Sequence, residues 1–173
     1  EINIALKTLN NSGVPDNNII LLHCILNYPT SYKNANLLMI RDLIKSYPDH
    51  LIGYSDHTLP NDEMNCPIAA FIIGAVVIEK HFTDDNKRTG PDHFFAMNPK
   101  SWKAMVSATR DLESAMGDGV KRIEKNELNS SVVQRRGIRA NQKLNKGSII
   151  REHMLDYLRP CPFGALRPCD KKR

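Results

Sequence analysis

Hydrophobic and polar positions follow one another along residues 1–119 in blocks that predict helices and strands in turn. Helical spacing of apolar residues predicts four helices, at 2–12, 36–47, 67–74 and 101–116. Ser101 is the expected N-cap of the last helix. Continuous apolar runs predict three strands, at 19–24, 51–54 and 76–78. The first of these runs, IILLHC, is typical of a strand that is buried on both faces.

The alternation of helix and strand predicts an α/β fold with a parallel sheet and helical crossovers. Two architectures have this order: an open doubly wound sheet, and part of a (β/α)8 barrel. No glycine-rich phosphate loop follows a predicted strand, which disfavours a dinucleotide-binding sheet. Three strands cannot close a barrel, which needs eight. Because the sequence starts at Glu1 inside a helical pattern, we expect it to be a piece of a longer protein.

A polar stretch at 120–131 predicts a linker between a first domain, 1–119, and a second, smaller domain, 132–173. Short runs at 137–140 and 155–158 predict that the second domain is rich in β-structure. The sequence therefore predicts two domains of different size and secondary structure.

The two domains also differ in charge. Residues 1–119 carry 10 basic and 14 acidic side chains, whereas residues 120–173 carry 14 basic and 5 acidic side chains. A basic module attracts nucleic acid, an anionic membrane surface or an anionic small molecule, unless it is only a solvated face. The four cysteines lack zinc-finger spacing, and neither a signal peptide nor a membrane-spanning stretch is visible. We therefore expect a cytoplasmic protein that makes no membrane contact.

Polar motifs follow the three predicted strands, where the loops of a parallel sheet converge on one edge. They are HCILNYPT, GYSDHT and EKHFT, and GPDH comes shortly after the third. Because residues i and i+2 of a strand share a face, Ser55 points with His57, and Glu79 points with His81. Asp56 points to the opposite face, where it can bond backbone amides of the loop.

Two imidazoles at neighbouring strand ends form a candidate metal site. Adjacent parallel strands lie about 4.8 Å apart, so His57 and His81 can reach one divalent cation. Water or substrate oxygens would complete an open coordination shell. Glu79 is then either a third ligand or a hydrogen-bond partner for an imidazole. Each histidine could instead be a structural residue with an ordinary hydrogen bond.

The ordered motifs resemble those of the sialic acid synthase family, which includes the N-acetylneuraminate, legionaminic acid and pseudaminic acid synthases. The matching stretches are HCILNYPT, GYSDHT, GAVVIEKHFT, GPDHFFAMNP, MGDG and RRGIRANQKLNKGSIIREHMLDYLRP. The last stretch resembles the start of the family's antifreeze-like domain. The resemblance implies the C-terminal portion of a (β/α)8 barrel, about three β/α units, followed by the start of a small antifreeze-like (SAF) domain.

The resemblance also implies a transferase activity. Enzymes of this family condense phosphoenolpyruvate with an N-acetylated amino-sugar aldehyde, such as N-acetylmannosamine, and release phosphate. By similarity, His57 and His81 hold a Mn²⁺ or Mg²⁺ ion that acts as a Lewis acid on the aldehyde. Ser55 is similar to a serine that contacts phosphoenolpyruvate, and Tyr28 and Asp92 resemble residues that bind sugar hydroxyls.

The resemblance also points to two further candidate substrate-binding residues, Asn27 and Arg159. Some members of the family have an asparagine at the position of Leu26. Asn27, the next residue in this chain, is therefore a candidate for substrate binding. On a strand, however, the side chain of Asn27 would face the side opposite to that of Leu26. Arg159 matches an arginine that reaches the sugar across the interface of a domain-swapped homodimer. A basic cap over an anionic substrate also makes nucleic-acid binding less expected. Because the family's first five barrel strands have no counterpart here, we expect the 173-residue chain alone to be catalytically inactive.

Two other functions stay open from the sequence. One is a different metal-dependent lyase or isomerase on a similar barrel. The other is a non-catalytic module that binds polyanions through Arg135, Arg136 and Arg139. Substitution of His57 and His81 separates an enzyme from a polyanion binder, because only the enzyme depends on the two imidazoles.

Overall fold

The structure, a computed structural model, describes residues 1–61 and 65–171, and forms two compact units, Glu1–Gly117 and Asp118–Arg173. The helices of the first unit are α1 (Ile2–Asn11), α2 (Tyr32–Ala35), α3 (Met39–Ser46), α4 (Asn65–Ile72) and α5 (Pro99–Met116). Its strands are β1 (Ile20–Cys24), β2 (Leu51–Asp56) and β3 (Val77–Lys80). The second unit contains α6 (Leu128–Gln134), β4 (Gly137–Ala140) and β5 (Leu155–Leu158). In the described part of the chain, no helix has the length and apolar character needed to span a bilayer.

The three strands of the first unit form a parallel sheet in the order β1-β2-β3. The α/β fold with a parallel sheet that the sequence predicts is therefore confirmed. β2 continues to Asp56, beyond the predicted end at Tyr54, and its last pairing is with Lys80 of β3. A Cβ atom at Gly53 would lie 2.7 Å from the Val77 carbonyl oxygen, so the strands approach this glycine too closely for a side chain.

The helices that form the main core, α3 and α4, lie on one face of this sheet. Ile52 and Tyr54 of β2 pack against Ile40 of α3 and Ala70 of α4 in the main hydrophobic core. We call this side of the sheet the covered face. The core sits there because alternate residues of a strand point to the same side.

The opposite side of the sheet is the open face, and it carries Leu51 and Ser55 of β2 and Glu79 of β3. The prediction that the first strand is buried on both faces is wrong, because Ile20 and Cys24 are exposed. At the polar ends of β2 and β3, Glu79 is exposed on this face, whereas Ser55 is buried.

Local backbone conformation and capping set the starts of the second and the fourth predicted helices. The helix expected over 36–47 starts at Met39, because Asn36 adopts a left-handed conformation with a φ of 42°. The last helix of the first unit starts before Ser101, so Ser101 is not its N-cap. Asn98 is the N-cap, and its side chain accepts a hydrogen bond from the Ser101 amide at 3.0 Å.

The second unit contains one antiparallel pair, β4 with β5, at the two short runs that the sequence predicts as β-structure. The stretch at 120–131, which the sequence predicts as a linker, contains the start of α6 at Leu128. Residues 148–150, between the two strands, have no regular structure. The domain boundaries at 119 and 132 stay predictions, and the last two residues of the expected second domain lie outside the described residues.

Candidate active site

His57 and His81 lie together at the ends of neighbouring strands. His57 directly follows β2, and His81 directly follows β3. Their ring centroids are 5.3 Å apart, and the ring planes are inclined at 69°. The alternation of side chains along β2 and β3 predicts this proximity, and the structure confirms it.

A backbone carbonyl selects the tautomer of the neutral His57 ring. His57 Nδ1 lies 2.8 Å from the Ile25 carbonyl oxygen, which can only accept a hydrogen bond. Nδ1 therefore carries the proton, and the lone pair of Nε2 is free for an acceptor role or for a metal ion. Cys24 Sγ lies 3.9 Å from the same Nδ1, and the Thr30 amide donates to the His57 carbonyl at 2.8 Å.

Aromatic rings enclose the two imidazoles. The Tyr28 ring lies 4.1 Å from the His57 ring and 5.7 Å from the His81 ring, measured between centroids. Phe95 is buried, and its ring lies 4.9 Å from His81 and 6.0 Å from Tyr28. These contacts restrict rotation of both imidazoles and remove water from part of their surroundings.

Asp92 lies beside His81 in the loop that follows β3. Asp92 Oδ2 is 3.5 Å from His81 Nδ1, which is longer than a good hydrogen bond. Backbone hydrogen bonds anchor this loop, because the Met97 amide donates to the His81 carbonyl at 2.8 Å and the Thr83 amide donates to the Met97 carbonyl at 2.9 Å. The carboxylate of Asp92 is thus held at the edge of the imidazole pair.

Ser55 and Glu79 form a second polar pair on the open face. They are register partners on β2 and β3, and the Ser55 hydroxyl donates to Glu79 Oε1 at 2.7 Å. The described hydrogen-bond partner of Glu79 is therefore a hydroxyl, whereas the sequence predicts a metal ion or an imidazole. The catalytic role of Glu79 stays a prediction.

Sequence reasoning missed a buried ion pair next to the site. The Lys80 ammonium donates to Asp56 Oδ2 at 2.8 Å, and Asp56 Oδ1 accepts from the Thr58 amide at 2.8 Å and from the Tyr54 hydroxyl at 3.0 Å. The bond from Thr58 confirms that Asp56 caps a loop amide. Burial, with the Asp56 carboxylate nearby, raises the pKa of the Tyr54 phenol, and burial raises the pKa of the Cys66 thiol.

The two other residues that are predicted to bind substrate, Asn27 and Arg159, are exposed. Asn27 is exposed in the loop after β1, where its carbonyl oxygen accepts from the Thr30 hydroxyl at 2.7 Å. Arg159 is exposed in the second unit, directly after β5. Substrate-binding roles for Asn27 and Arg159 stay predictions.

Few side chains near the imidazole pair could act as metal ligands. Within residues 1–61 and 65–171, no group of three or more His, Cys, Asp or Glu side chains is arranged to hold a metal ion. A cation at this place would therefore take two nitrogen ligands from His57 and His81. Such a donor set suits a transition-metal ion better than Mg²⁺, which prefers oxygen ligands.

Known proteins resemble the chain in sequence and structure. Residues 1–121 match the model of the NeuB family. The N,N'-diacetyllegionaminic acid synthase of Legionella pneumophila is 42% identical over 142 residues, which are 82% of this chain and 39% of that protein. The Campylobacter jejuni protein of the same name is 37% identical over 160 residues, which are 92% of this chain and 47% of that protein.

A solved structure supports the same relationship. The N-acetylneuraminic acid (sialic acid) synthetase of Leptospira borgpetersenii matches with a TM-score of 0.63 and 31% identity, over 75% of this chain and 43% of that chain. The α/β fold of the chain is thus similar to that of a sialic acid synthetase. The chain spans about half the length of the curated relatives it matches.

Proposed function

Because the chain belongs to the NeuB family, we propose that it carries the metal-binding and sugar-binding part of a nonulosonic acid synthase. The proposed reaction joins phosphoenolpyruvate to an N-acetylated amino-sugar aldehyde and gives a sialic-type acid and phosphate. Two relatives named N,N'-diacetyllegionaminic acid synthase support a substrate of this class. The observation that carries the proposal is the 5.3 Å separation of the His57 and His81 ring centroids.

We assign a divalent cation to His57 and His81, with Mn²⁺ favoured over Mg²⁺ because both protein ligands are nitrogens. When bound, the cation supplies Lewis-acid polarisation of a substrate carbonyl oxygen. His57 is prepared for this role, since its Nδ1–H donates to the Ile25 carbonyl at 2.8 Å and its Nε2 keeps a lone pair. Tyr28 and Phe95 hold the two rings in place.

The residues around the imidazoles would bind and orient the two substrates. Tyr28 is half-exposed and Asp92 is exposed beside His81, so both are accessible to sugar hydroxyls. The Ser55 hydroxyl donates to Glu79 at 2.7 Å. To donate a hydrogen bond to phosphoenolpyruvate, the Ser55 hydroxyl would therefore have to rotate so that its hydrogen no longer points at Glu79. Holding both substrates beside the imidazole pair would lower the entropic cost of forming the carbon–carbon bond.

The proposal extends to the architecture of the whole protein. A parallel sheet whose core helices lie on one face is compatible with part of a (β/α)8 barrel, whose interior face would carry Ser55 and Glu79. The antiparallel pair of β4 and β5 is compatible with the start of an antifreeze-like domain. The domain-swapped homodimer, in which Arg159 serves the partner's site, and the cytoplasmic location belong to the same proposal.

A chimera tests the function directly. The chain would replace the matching region of the Campylobacter jejuni relative, and phosphate release from phosphoenolpyruvate would be measured with Mn²⁺ and an N-acetylated amino sugar. We expect activity in the chimera, and its loss to background in the His57→Ala and His81→Ala variants. His153→Ala is the matched control, because this histidine is exposed in the second unit and should leave turnover unchanged.

Other outcomes would contradict the proposal. Full activity of the chimera after removal of both imidazoles would exclude them from the reaction. Binding of heparin that depends on Arg135 and Arg136, in a chimera without turnover, would favour the polyanion-binding alternative. We also expect the 173-residue chain alone to release no phosphate, so turnover by that chain would contradict the predicted inactivity of the fragment.

A further inference from the structure

We propose that Asp56 and Lys80 are positioning residues that set the distance between the imidazoles of His57 and His81. The inference rests on the proposed function, because it concerns the two side chains assigned to the cation. Asp56 and Lys80 lie on the covered face of the sheet and His57 and His81 lie beyond the strand ends, so the pair acts through the backbone rather than by touching a substrate.

The strand ladder stops one residue before each imidazole. Asp56 and Lys80 are the last register partners of β2 and β3. His57 and His81 follow them, outside both strands. The regular pairing between the two strands therefore ends before the residues whose spacing matters most, and a side-chain interaction continues the link between the strand ends.

Lys80 supplies that interaction, because its ammonium group binds on both sides of His57. Its Nζ atom donates to Asp56 Oδ2 at 2.8 Å and to the Thr58 carbonyl at 2.5 Å. Asp56 precedes His57 and Thr58 follows it. The backbone of His57 is thus tied, before and after, to the residue that precedes His81.

A second bond closes the turn around His57. Asp56 Oδ1 accepts from the Thr58 amide at 2.8 Å, so one carboxylate spans the residues on either side of His57. The same oxygen accepts from the Tyr54 hydroxyl at 3.0 Å, which anchors the carboxylate in the core. The turn that presents His57 is therefore fixed by side chains from the covered face.

The burial of the pair argues against a role in binding or in simple stabilisation. The side chains of Lys80 and Asp56 are 1% and 0% exposed. A substrate cannot reach either group at this burial. An ion pair also stabilises a core no better than well-packed apolar side chains of similar volume, whereas it does fix one geometry through directional bonds.

A double variant separates positioning from stability. Asp56→Asn with Lys80→Met removes both buried charges, yet the asparagine oxygen still accepts from Tyr54 and Thr58. The matched control is Asp84→Asn with Arg88→Met, which removes an exposed ion pair from the loop after β3. Two quantities would be measured on the 173-residue chain: the NOE between the His57 and His81 rings without metal, and the Kd for Mn²⁺.

We expect the double variant to stay folded by circular dichroism, to lose the inter-ring NOE, and to bind Mn²⁺ about 10- to 100-fold more weakly. The control should match the wild type in both measurements. A folded double variant with the wild-type NOE and the wild-type Kd would overturn the inference. If the double variant does not fold, the isosteric Asp56→Asn variant decides by the same two criteria.

Failure of the proposed function gives a different result. If the wild-type chain binds no Mn²⁺, the metal assignment is wrong, and the NOE alone decides the positioning role. Loss of the NOE in the double variant would then still support that role, and an unchanged NOE would overturn it.

Discussion

The covered face and the open face of the sheet use neighbouring residues of β2 in different ways. On the covered face, Asp56 receives hydrogen bonds from Tyr54, Thr58 and Lys80, so its carboxylate is satisfied inside the protein. On the open face, Ser55 donates one hydrogen bond to an exposed carboxylate. One strand thus holds the site in place through alternate residues and presents chemical groups through the others.

The largest effect should come from breaking the buried ion pair on the covered face. Lys80→Met leaves the Asp56 carboxylate, which is 0% exposed, without its cation. We expect the free energy of unfolding, measured by urea denaturation, to fall by about 3–5 kcal/mol.

The exposed pair of Arg88 with Asp84 provides the control for this variant. Arg88→Met should leave the urea midpoint unchanged, because solvent screens that pair. Adding Asp56→Asn to Lys80→Met should recover part of the lost stability, since the unpaired charge is removed. Equal effects of Lys80→Met and Arg88→Met would contradict the difference between buried and exposed pairs.

Adjacent residues of β2 test the contrast between the two faces with apolar side chains. Ile52 is 3% exposed on the covered face, and Leu51 is 54% exposed on the open face. We expect Ile52→Ala to lower the free energy of unfolding by about 2–5 kcal/mol. Leu51→Ala should change it by no more than about 0.5 kcal/mol. A large loss in Leu51→Ala would mean that the open face is packed in solution.

A smaller effect should appear at alkaline pH, because two groups in the covered core have raised pKa values. The unfolded chain releases the protons of Cys66 and Tyr54 at their ordinary pKa values of about 8.5 and 10, while the folded chain keeps them. The unfolded state then binds fewer protons, so the free energy of unfolding falls as pH rises above these values.

The slope should not exceed about 1.4 kcal/mol per pH unit for each group. Urea denaturation over the alkaline range measures this slope. Tyr54→Phe should remove the part of the decline that begins near the phenol pKa of about 10. A wild-type stability that stays constant or rises over this range would contradict the burial of the two groups.

Local patterns in the sequence predicted the elements and the meeting of the two imidazoles. The period of two along β2 and β3 placed Ser55 with His57 and Glu79 with His81, and the structure pairs Ser55 with Glu79 and His57 with His81. This worked because the side-chain period of a strand is a local property that survives in any parallel sheet.

The sequence did not predict features that depend on strand register or on which elements pack over a strand. The link between Asp56 and Lys80 requires the strand register, which no single segment contains, although both residues directly precede a site histidine. The exposure of Ile20 depends on what packs against β1, and an apolar run looks the same with or without that cover. Asn36 interrupts a helical pattern through a backbone conformation that hydrophobic spacing does not encode.

The proposed function depends most on the binding of one divalent cation by His57 and His81 together. Pulsed EPR of the Mn²⁺-loaded 173-residue chain, with and without ¹⁵N-labelled histidine, counts the imidazole nitrogens coupled to the metal. We predict two coupled imidazoles in the wild type, and one in each of the His57→Ala and His81→Ala variants. A wild-type spectrum with a single coupled imidazole or none, or an unchanged count in either variant, would contradict the claim.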